Sequence, residues 1–375
     1  MKPDFFKNLP PEIITEIFLR LPAVSIPISK CVCKRWLHLL EPDAFVKSHF
    51  ARSAPALVVL GDSGRLKVFE LEGELNLDLE SYDPLTKYDF PNYHRGRMTS
   101  VNGFLALWMC GYDALKVRVD MIYVCNLITR EVIKLDLPSD PQLRISDVSA
   151  YGFGVSKISG RYKAVCIKLT PYDDKLDCRV YTLGTGSWRR LEGNPYNYHH
   201  GSGAFVNGNL HWLATLQVPW ISCFDLETEC FSFFKAPPYH AQGFPFVRGR
   251  SLSTLSGCLC FCKEASEYEN DGGRHELTIW IMKEYGVDES WSKEYVIPID
   301  VGMSFVHPIK VFENGDLLMS VKVNFFRCIF YYSNKNKTMQ RIDLFGADRV
   351  ECGLFTPTLV SLKTLGLGVE NVISF

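Results

Sequence analysis

The sequence has almost no net charge and no long apolar run. Lysine and arginine number 41 against 42 aspartate and glutamate residues, so the formal net charge is -1 at neutral pH. Such a chain has no overall basic field that would attract nucleic acid or an anionic membrane. No apolar run approaches the roughly 18 residues that a membrane-spanning helix needs. We therefore expect neither nucleic acid nor a membrane among the partners.

The first residues also lack the pattern of a secretory signal. The opening MKPDFFKNLPPEI contains an early proline and aspartate and no apolar core segment. Without such a signal, the 13 cysteines are expected to be thiols in a reducing compartment, and an odd number cannot all pair within the chain. The expected location is the cytoplasm and/or the nucleus.

Patterns of known catalytic chemistry are missing or have a simpler explanation. No phosphate-binding G-x-x-x-x-G-K motif occurs. Residues 61–64, Gly-Asp-Ser-Gly, imitate a protease nucleophile segment, but these are also the residue types that tight turns select. Cys258, Cys260 and Cys262 would share one face of a strand, where core packing is much commoner than metal binding. We expect no catalytic residue, no cofactor and no metal ion.

Residues 9–36 show the period of two short amphipathic helices. Apolar residues recur every four positions from Leu9 to Leu21 and place a stripe on one side of the first helix. Pro22 ends that helix, and a second apolar pattern follows. Helices of this size cannot close a core alone, since chains under about 40 residues usually need outside help. Their apolar surface must therefore face a partner or the rest of the chain.

The residue identities in this pattern resemble those of an F-box. The matching residues are Leu9-Pro10, Glu16-Ile17, Leu19-Arg20-Leu21-Pro22, Ser25-Ile26, and Cys31 to Trp36 followed by Pro42, Phe45 and His49. The resemblance covers about the first 50 residues and implies docking on the Skp-type adaptor of a cullin-RING ubiquitin ligase. The adaptor contacts that it implies are Leu9, Pro10, Ile13, Ile17, Leu21, Pro22, Ile26, Val32 and Trp36.

Each of these side chains could instead pack within the F-box itself, and for Trp36 the two roles are equally open. The sequence also departs from the family at Pro27, where a leucine is usual, and at Ser29, where an aromatic residue is usual.

After Ser53 the pattern changes to short β-strands joined by tight turns. Runs such as Ala56–Leu60 are apolar and β-branched, and turn residues bound them. Ser-Gly or Asn-Gly pairs recur about every 50 residues, with glycines at Gly64, Gly103, Gly160, Gly208, Gly257 and Gly315. A second hairpin pattern follows most of these turns. Two hairpins per unit predict a small all-α unit followed by an all-β domain, a β-propeller of about six blades, with a large β-sandwich as the alternative.

The same region resembles the F-box-associated domain of plant F-box proteins, a module that is kelch-like in size. The matching segments are Val101-Asn102-Gly103, residues 151–154 (Tyr-Gly-Phe-Gly), residues 203–208 with Leu210-His211-Trp212, and residues 280–286 (Trp-Ile-Met-Lys-Glu-Tyr-Gly) with Ser290-Trp291. The two resemblances divide the chain into an F-box at 1–50 and an associated domain at 51–375.

Together the resemblances imply the substrate-recognition subunit of an SCF-type (Skp-cullin-F-box) ubiquitin ligase. The F-box would dock on the adaptor, the β-domain would recruit an unknown target protein for ubiquitination, and other subunits would perform the chemistry. The alternative is a propeller that binds a small molecule or a sugar and has no role in degradation.

The target is expected to bind loops at one face of the propeller. The longer polar or aromatic loops are 138–149, 192–202, 236–250 and 263–275. Candidate target-binding residues within them are Tyr196, Tyr198, His199, His200, Tyr239, His240, Arg248 and Arg250. The aromatic side chains offer contact area with polar tips, and the arginines could meet an acidic target. An ordinary solvated loop is the alternative for each segment.

Overall fold

Four short helices open the protein, which is described by a computed structural model. The structure describes Phe6 and residues 9–61, 64–71, 86–90, 93–112, 118–135, 148–169, 176–191, 201–214, 220–237, 249–264, 275–300, 302–324, 326–342, 350–365 and 372–374. The helices are α1 (Pro11–Phe18), α2 (Ser25–Lys30), α3 (Lys34–Leu40) and α4 (Asp43–Arg52). Pro10 and Pro11 lie at the N-cap and first position of α1, where a missing N–H costs no helical hydrogen bond.

The helices pack around a small apolar centre. Ile14 and Phe18 of α1, Ile26 of α2, Leu40 of α3 and Phe45 of α4 are buried there. The Glu16 carboxylate links the two ends of this unit, because it accepts a hydrogen bond from the Arg52 guanidinium at 2.9 Å. The Arg52 guanidinium lowers the pKa of Glu16.

The remaining described residues are mainly β-strands. In chain order the strands are β1 (Ala56–Gly61), β2 (Arg65–Glu70), β3 (Thr86–Asp89), β4 (Tyr93–Val101), β5 (Phe104–Tyr112), β6 (Arg118–Asn126), β7 (Glu131–Leu135), β8 (Val148–Val155), β9 (Tyr162–Leu169), β10 (Leu176–Thr182), β11 (Trp188–Arg190), β12 (Gly201–Ser202), β13 (Ala204–Val206), β14 (Asn209–Ala214), β15 (Trp220–Asp225), β16 (Phe231–Lys235), β17 (Arg250–Leu255), β18 (Cys258–Glu264), β19 (Glu276–Met282), β20 (Trp291–Pro298), β21 (Met303–Val311), β22 (Leu317–Val323), β23 (Phe326–Ser333), β24 (Thr338–Ile342), β25 (Val350–Phe355) and β26 (Val372–Ser374).

These strands form six sheets, which are the six blades of a β-propeller. The strand orders from the first blade to the sixth are β25-β1-β2-β3, β4-β5-β6-β7-β26, β12-β8-β9-β10-β11, β13-β14-β15-β16, β17-β18-β19-β20 and β21-β22-β23-β24. The inner strands β25, β4, β8, β13, β17 and β21 contact one another in turn around the ring. The prediction of about six blades is confirmed, and the β-sandwich alternative is wrong.

The two ends of the β-domain close the ring together. The first blade takes three strands from the start of the domain and its inner strand, β25, from the end, with Ala56 opposite Phe355. The chain then crosses to the second blade, where β26 pairs with β7. On the way, the buried Asn126 amide donates hydrogen bonds to the carbonyl oxygens of Thr358 and Val360. The first blade therefore depends on strands from both ends of the domain.

The six glycine turns lie at hairpins, but one of them occupies a different place in its blade. Gly103, Gly160, Gly208, Gly257 and Gly315 lie in the turns between the inner strand and the second strand of blades two to six. Gly64 lies between β1 and β2, the second and third strands of the first blade, because the inner strand of that blade comes from β25. The glycine spacing therefore counts the blades correctly, but it does not show which pair of strands each turn connects.

The strand directions define two faces of the ring. We call the face where the inner strands begin the loop face, and the face where the inner strands turn into the second strands the turn face. The inner strand β25 ends at Phe355, so its register partner Ala56 lies at the turn face. Since α4 ends at Arg52, close in sequence to Ala56, the helices join the propeller at the turn face. A single cluster of buried residues runs from the helices into the first two blades.

The cysteine stripe of β18 belongs to the core. Cys260 and Cys262 are fully buried in an apolar cluster between the fifth and sixth blades, and Cys258 packs against it. Burial raises the pKa of the Cys262 thiol well above its usual value. The geometry agrees with the core-packing interpretation of this stripe.

Candidate functional site

Several large apolar side chains of the helical unit face solvent. Their exposed fractions are 50% for Ile13, 37% for Ile17, 71% for Ile28 and 60% for Val32. Single exposed apolar residues are ordinary on a protein surface, but four within a unit of this size mark a surface suited to a partner. Ile28 was missed by the sequence pattern, because its place in a helix of one and a half turns is not apparent without tertiary contacts.

The nine predicted adaptor residues divide into three groups. Pro10, Ile13, Ile17, Pro22 and Val32 are exposed, while Leu9, Leu21 and Trp36 are half-buried. Ile26 is fully buried, so the prediction that it contacts the adaptor is corrected. Its side chain fills the centre of the helical unit, because α2 turns that side toward α1 and α3. Ile26 supports the exposed surface from beneath.

Trp36 is held within the helical unit by two aromatic contacts. Its ring centroid lies 4.9 Å from that of Phe18 and 5.4 Å from that of Phe6, both in edge-to-face geometry. Next to it, the Arg35 guanidinium donates hydrogen bonds to the carbonyl oxygens of Leu9 at 2.6 Å and Phe6 at 3.2 Å. These contacts fix the segment that enters α1.

The departure at Ser29 is accommodated without an unpaired polar atom. Ser29 is buried, and its hydroxyl donates a hydrogen bond to the Ser25 carbonyl oxygen at 2.9 Å. Elsewhere in the helical unit, the His49 ring nitrogen Nε2 lies 3.0 Å from the Leu21 carbonyl oxygen, and burial lowers the pKa of His49.

The four candidate target-binding loops are flanked by strand ends that all lie at the loop face. Segments 138–149, 192–202 and 236–250 each connect an outer strand to the next inner strand, and 263–275 connects β18 to β19. Of the predicted residues in these loops, Tyr196, Tyr198, His199, His200, Tyr239, His240 and Arg248 lie outside the described residues. Arg250, the first residue of β17, is half-buried and pairs in register with Lys263.

A charged cluster joins three blades where the inner strands line the ring. The Glu351 carboxylate of β25 lies 3.1 Å from the Arg97 guanidinium of β4 and 3.8 Å from the Arg327 guanidinium of β23. Burial, together with the charges of Arg327 and Arg97, lowers the pKa of His307 on β21 well below its usual value. Sequence reasoning missed this cluster, because its members come from residues 97 to 351 and share no motif.

An exposed aromatic residue adjoins this cluster. Phe305 lies in a bulge of β21 and has a backbone φ of +49°, a left-handed conformation that is strained for a side chain of this type. The Lys322 ammonium lies 5.3 Å from the centre of its ring. Lys322 is also directly opposite Arg327 in the pairing of β22 with β23. Phe305, Lys322 and the charged cluster together form what we call the channel-mouth surface.

A half-buried carboxylate, Glu264, lies near the Phe305 backbone. Burial raises the pKa of Glu264, at the end of β18, to about 7, and the nearby Phe305 backbone N–H acts in the opposite direction. A side chain on Gly249 would overlap the Glu264 carboxylate, so a glycine at that position leaves room for this carboxylate.

A cavity of about 430 Å³ lies at the turn face of the third blade. Its lining includes Arg161, Tyr162, Thr185 and Thr364, with one aromatic residue among the lining side chains. This cavity is unlike the deep aromatic-lined pocket that would favour a propeller for sugars or small molecules.

In the described part of the chain, no three His, Cys, Asp or Glu residues are grouped as metal ligands would be. None of the described helices is both long and apolar enough to cross a membrane.

A helical unit with exposed apolar residues on one face of a six-bladed propeller defines a two-domain binding protein. The F-box domain family matches residues 6–46, and the F-box associated beta propeller domain family matches residues 56–357. The chain therefore belongs to the F-box proteins that carry an F-box associated β-propeller domain. This membership gives a general substrate-receptor role and implies binding to a Skp-type adaptor.

The chain has relatives in Arabidopsis thaliana. The chain is 29% identical to F-box protein CPR1 over 328 residues, which is 77% of this chain and 73% of the relative. It is 27% identical to F-box/kelch-repeat protein At3g23880 over 339 residues, which is 84% and 86% of the two chains. Among solved structures, TolB from Acinetobacter baumannii aligns with 86% of this chain and 73% of its own at 9% identity and a TM-score of 0.46.

Proposed function

We propose that the protein is the substrate-recognition subunit of an SCF-type ubiquitin ligase. In this role the F-box binds a Skp-type adaptor and through it a cullin-RING ligase, and the propeller recruits a target protein for ubiquitination. The protein acts in the cytoplasm and/or the nucleus. Its contribution is to hold the target close to the activated ubiquitin, which raises the local concentration of the target lysine.

The positions of the helical surface and of the long loops on opposite faces of the propeller support this proposal. The helices with exposed Ile13, Ile17, Ile28 and Val32 join the ring at the turn face, whereas the strand ends that flank the long loops lie at the loop face. A receptor needs two surfaces that can be occupied at once. Surfaces on opposite faces of a rigid ring meet that need, because neither partner blocks the other.

Catalysis by the chain itself is not part of the proposal. Residues 61–64, which imitate a nucleophile segment, link β1 to β2, and Gly64 donates its N–H to the Gly61 carbonyl oxygen at 3.1 Å. This is the hydrogen bond of a tight turn. The related Arabidopsis proteins are likewise F-box proteins. The conjugating enzyme and RING subunit supply the chemistry in a ligase of this kind.

Calorimetric titration with a purified plant Skp-type adaptor tests the proposal. The variant is Ile13→Asp with Ile17→Asp, which places two charges in the exposed apolar surface. The matched control is Val296→Asp, since Val296 is 44% exposed on the outer strand of the fifth blade. We expect binding by the wild type and the control, and at least about tenfold weaker binding by the double variant, equivalent to about 1.4 kcal/mol. Failure of the folded wild type to bind would contradict the proposal.

A further inference from the structure

Two exposed cysteines flank Val32 in the turn between α2 and α3. Cys31 and Cys33 both face solvent, and Val32 between them is 60% exposed. Cys31 keeps a helical backbone, and its N–H donates a hydrogen bond to the Ile28 carbonyl oxygen at 3.0 Å. Its side chain therefore lies next to that of Ile28, since residues three apart are neighbours on a helix surface. The two thiols thus adjoin the exposed apolar surface that the proposed function assigns to the adaptor.

Most other cysteines are much less accessible than this pair. In the part of the chain that the structure describes, Cys230 is the one further exposed cysteine, and the rest are buried or half-buried. Burial raises the pKa of Cys166 and of Cys352 to about 12. Such thiols supply very little of the reactive thiolate at neutral pH. A thiol reagent in solution therefore reaches Cys31 and Cys33 ahead of the cysteines of the core.

The fold does not depend on either thiol of the pair. Cys33 is the N-cap of α3, and no side-chain hydrogen bond caps that helix. The Cys31 Sγ atom makes a weak contact of 3.5 Å to the Pro27 carbonyl oxygen. Because both side chains are exposed, a group attached to either sulfur can extend into solvent without displacing the core. Modification should alter this surface and leave the helical unit folded.

We propose that Cys31 and Cys33 are sites of reversible S-glutathionylation, and that a glutathionyl group on either one prevents the F-box from binding its adaptor. This inference rests on the proposed function, because it names a regulation of the adaptor surface. A thiolate of the pair attacks one sulfur of glutathione disulfide, so that a disulfide between protein and glutathione forms as the original disulfide breaks. The cysteine sulfur is oxidised, the departing glutathione sulfur is reduced, and the departing thiolate takes up the proton that the cysteine lost.

The attached group opposes adaptor binding through its size and its charges. Glutathione is a tripeptide, so its bulk would separate the two proteins on either side of Val32. Its carboxylates and ammonium group would also have to lose water beside Ile28 and Val32, and the burial of unpaired charge is costly. We expect adaptor binding to weaken at least about tenfold, equivalent to about 1.4 kcal/mol.

The test compares adaptor binding by the whole chain before and after treatment with glutathione disulfide. Excess reagent is removed, the modified cysteines are located by mass spectrometry of proteolytic peptides, and untreated adaptor is titrated in a calorimeter without reductant. For the wild type we expect modification at Cys31 or Cys33 and loss of adaptor binding. Dithiothreitol should restore binding, and circular dichroism melting should be the same before and after treatment.

Matched variants separate this pair from the other thiols. The double variant Cys31→Ser with Cys33→Ser should bind the adaptor as the reduced wild type does, since serine is also a favourable N-cap residue, and should still bind after treatment. Cys230→Ser removes the exposed cysteine between β15 and β16, and this variant should lose binding on treatment as the wild type does. Should the double variant itself fail to bind, the mapped modification and the recovery with dithiothreitol in Cys230→Ser decide the outcome.

The two proposals fail in different ways. If the reduced wild type does not bind the adaptor, the ligase role is contradicted, and this regulation with it. If the reduced wild type binds but neither Cys31 nor Cys33 reacts, or if the modified protein binds as tightly as the reduced one, the ligase role stands and the glutathionylation proposal is overturned. Loss of binding by the treated double variant would also overturn it, because the effect would then arise at another site.

Discussion

The Nε2 atom of His211 lies 2.9 Å from the hydroxyl oxygen of Tyr285, and this contact joins the fourth blade to the fifth. His211 Nδ1 lies 2.9 Å from the Ala204 carbonyl oxygen, so Nδ1 carries the proton and Nε2 accepts from Tyr285. The same hydroxyl accepts a hydrogen bond from the Asn209 amide at 2.7 Å. Two segments that match the F-box-associated domain thus meet in a buried polar contact between blades.

Replacing Tyr285 by phenylalanine should destabilise the protein through this contact. The change leaves buried His211 Nε2 without its donor and the Asn209 amide without its acceptor, which costs about 1–3 kcal/mol. Urea unfolding measures the effect. Tyr295→Phe is the control, because its hydroxyl makes only a long contact of 3.3 Å to the Gly315 carbonyl oxygen. Equal losses of unfolding free energy in Tyr285→Phe and Tyr295→Phe would contradict the role assigned to the His211 contact.

The contribution of the buried histidines to stability should fall in mild acid, while the raised pKa of Glu264 acts in the opposite direction. Burial lowers the pKa of His211 from 6.5 to about 4, so the unfolded chain takes up the proton first as the pH falls. The stabilising contribution is fully present above about pH 6.5 and is lost toward pH 4, by on the order of 3 kcal/mol for this residue. The lowered pKa values of His49 and His307 act in the same direction.

Unfolding free energies measured across pH 4 to 7 check this expectation. His211→Gln should show a weaker decline of stability with falling pH than the wild type. His38→Gln, which changes an exposed histidine of α3, should decline as the wild type does. An unchanged decline in His211→Gln would show that the acid sensitivity arises elsewhere.

Two glycine turns with the same backbone conformation should respond differently to alanine. Gly103 and Gly257 have φ values of +81° and +78°. Nothing lies within 4 Å of a side chain added at Gly257, whereas one added at Gly103 would overlap Thr358. Gly257→Ala should cost about 1 kcal/mol from backbone strain alone. Gly103→Ala should cost a further 1–3 kcal/mol, on the order expected for overpacking; similar values for both would argue against the Thr358 contact.

The Glu131 carboxylate should be needed for ring closure. It accepts hydrogen bonds from Ser361 Oγ at 2.6 Å, from the Leu362 N–H at 2.7 Å and from Thr129 Oγ1 at 2.9 Å. Glu131→Ala leaves these donors unpaired and should lower the unfolding free energy by about 2–4 kcal/mol. Glu313→Ala, at an exposed glutamate, is the control and should have little effect. Retained resistance of the C-terminal segment to proteolysis in Glu131→Ala would contradict this role.

Substitution of two isoleucines of α2 should affect different properties: one change should lower stability and the other should weaken adaptor binding. Ile26 is fully buried and Ile28 is 71% exposed. Ile26→Ala should destabilise the helical unit by about 2–5 kcal/mol, while Ile28→Ala should change stability by no more than about 0.5 kcal/mol. Circular dichroism melting and adaptor titration together give the comparison. Weaker adaptor binding by the folded Ile28→Ala protein is expected, and unaltered binding would exclude Ile28 from the adaptor surface.

Much of the architecture could be predicted because its signals are local. A turn that needs a left-handed backbone selects glycine or asparagine at fixed positions, as at Asn102-Gly103 and Asn207-Gly208. These pairs predicted the number of blades, and the apolar residues at every fourth position predicted the helix α1. The position of Gly64 between the second and third strands could not be predicted, because no local signal tells that β25 supplies the inner strand of the first blade.

The sequence by itself determined the family, the helical unit and the repeat of hairpins, since periodicity and turn chemistry act between residues close in the chain. The tertiary structure alone decided which helical residues face outward, so that Ile26 is buried and Ile28 exposed. It alone brought Arg97, Arg327 and Glu351 together. The physical reason is that burial and charge pairing depend on neighbours in space, and in a closed ring those neighbours come from distant parts of the chain.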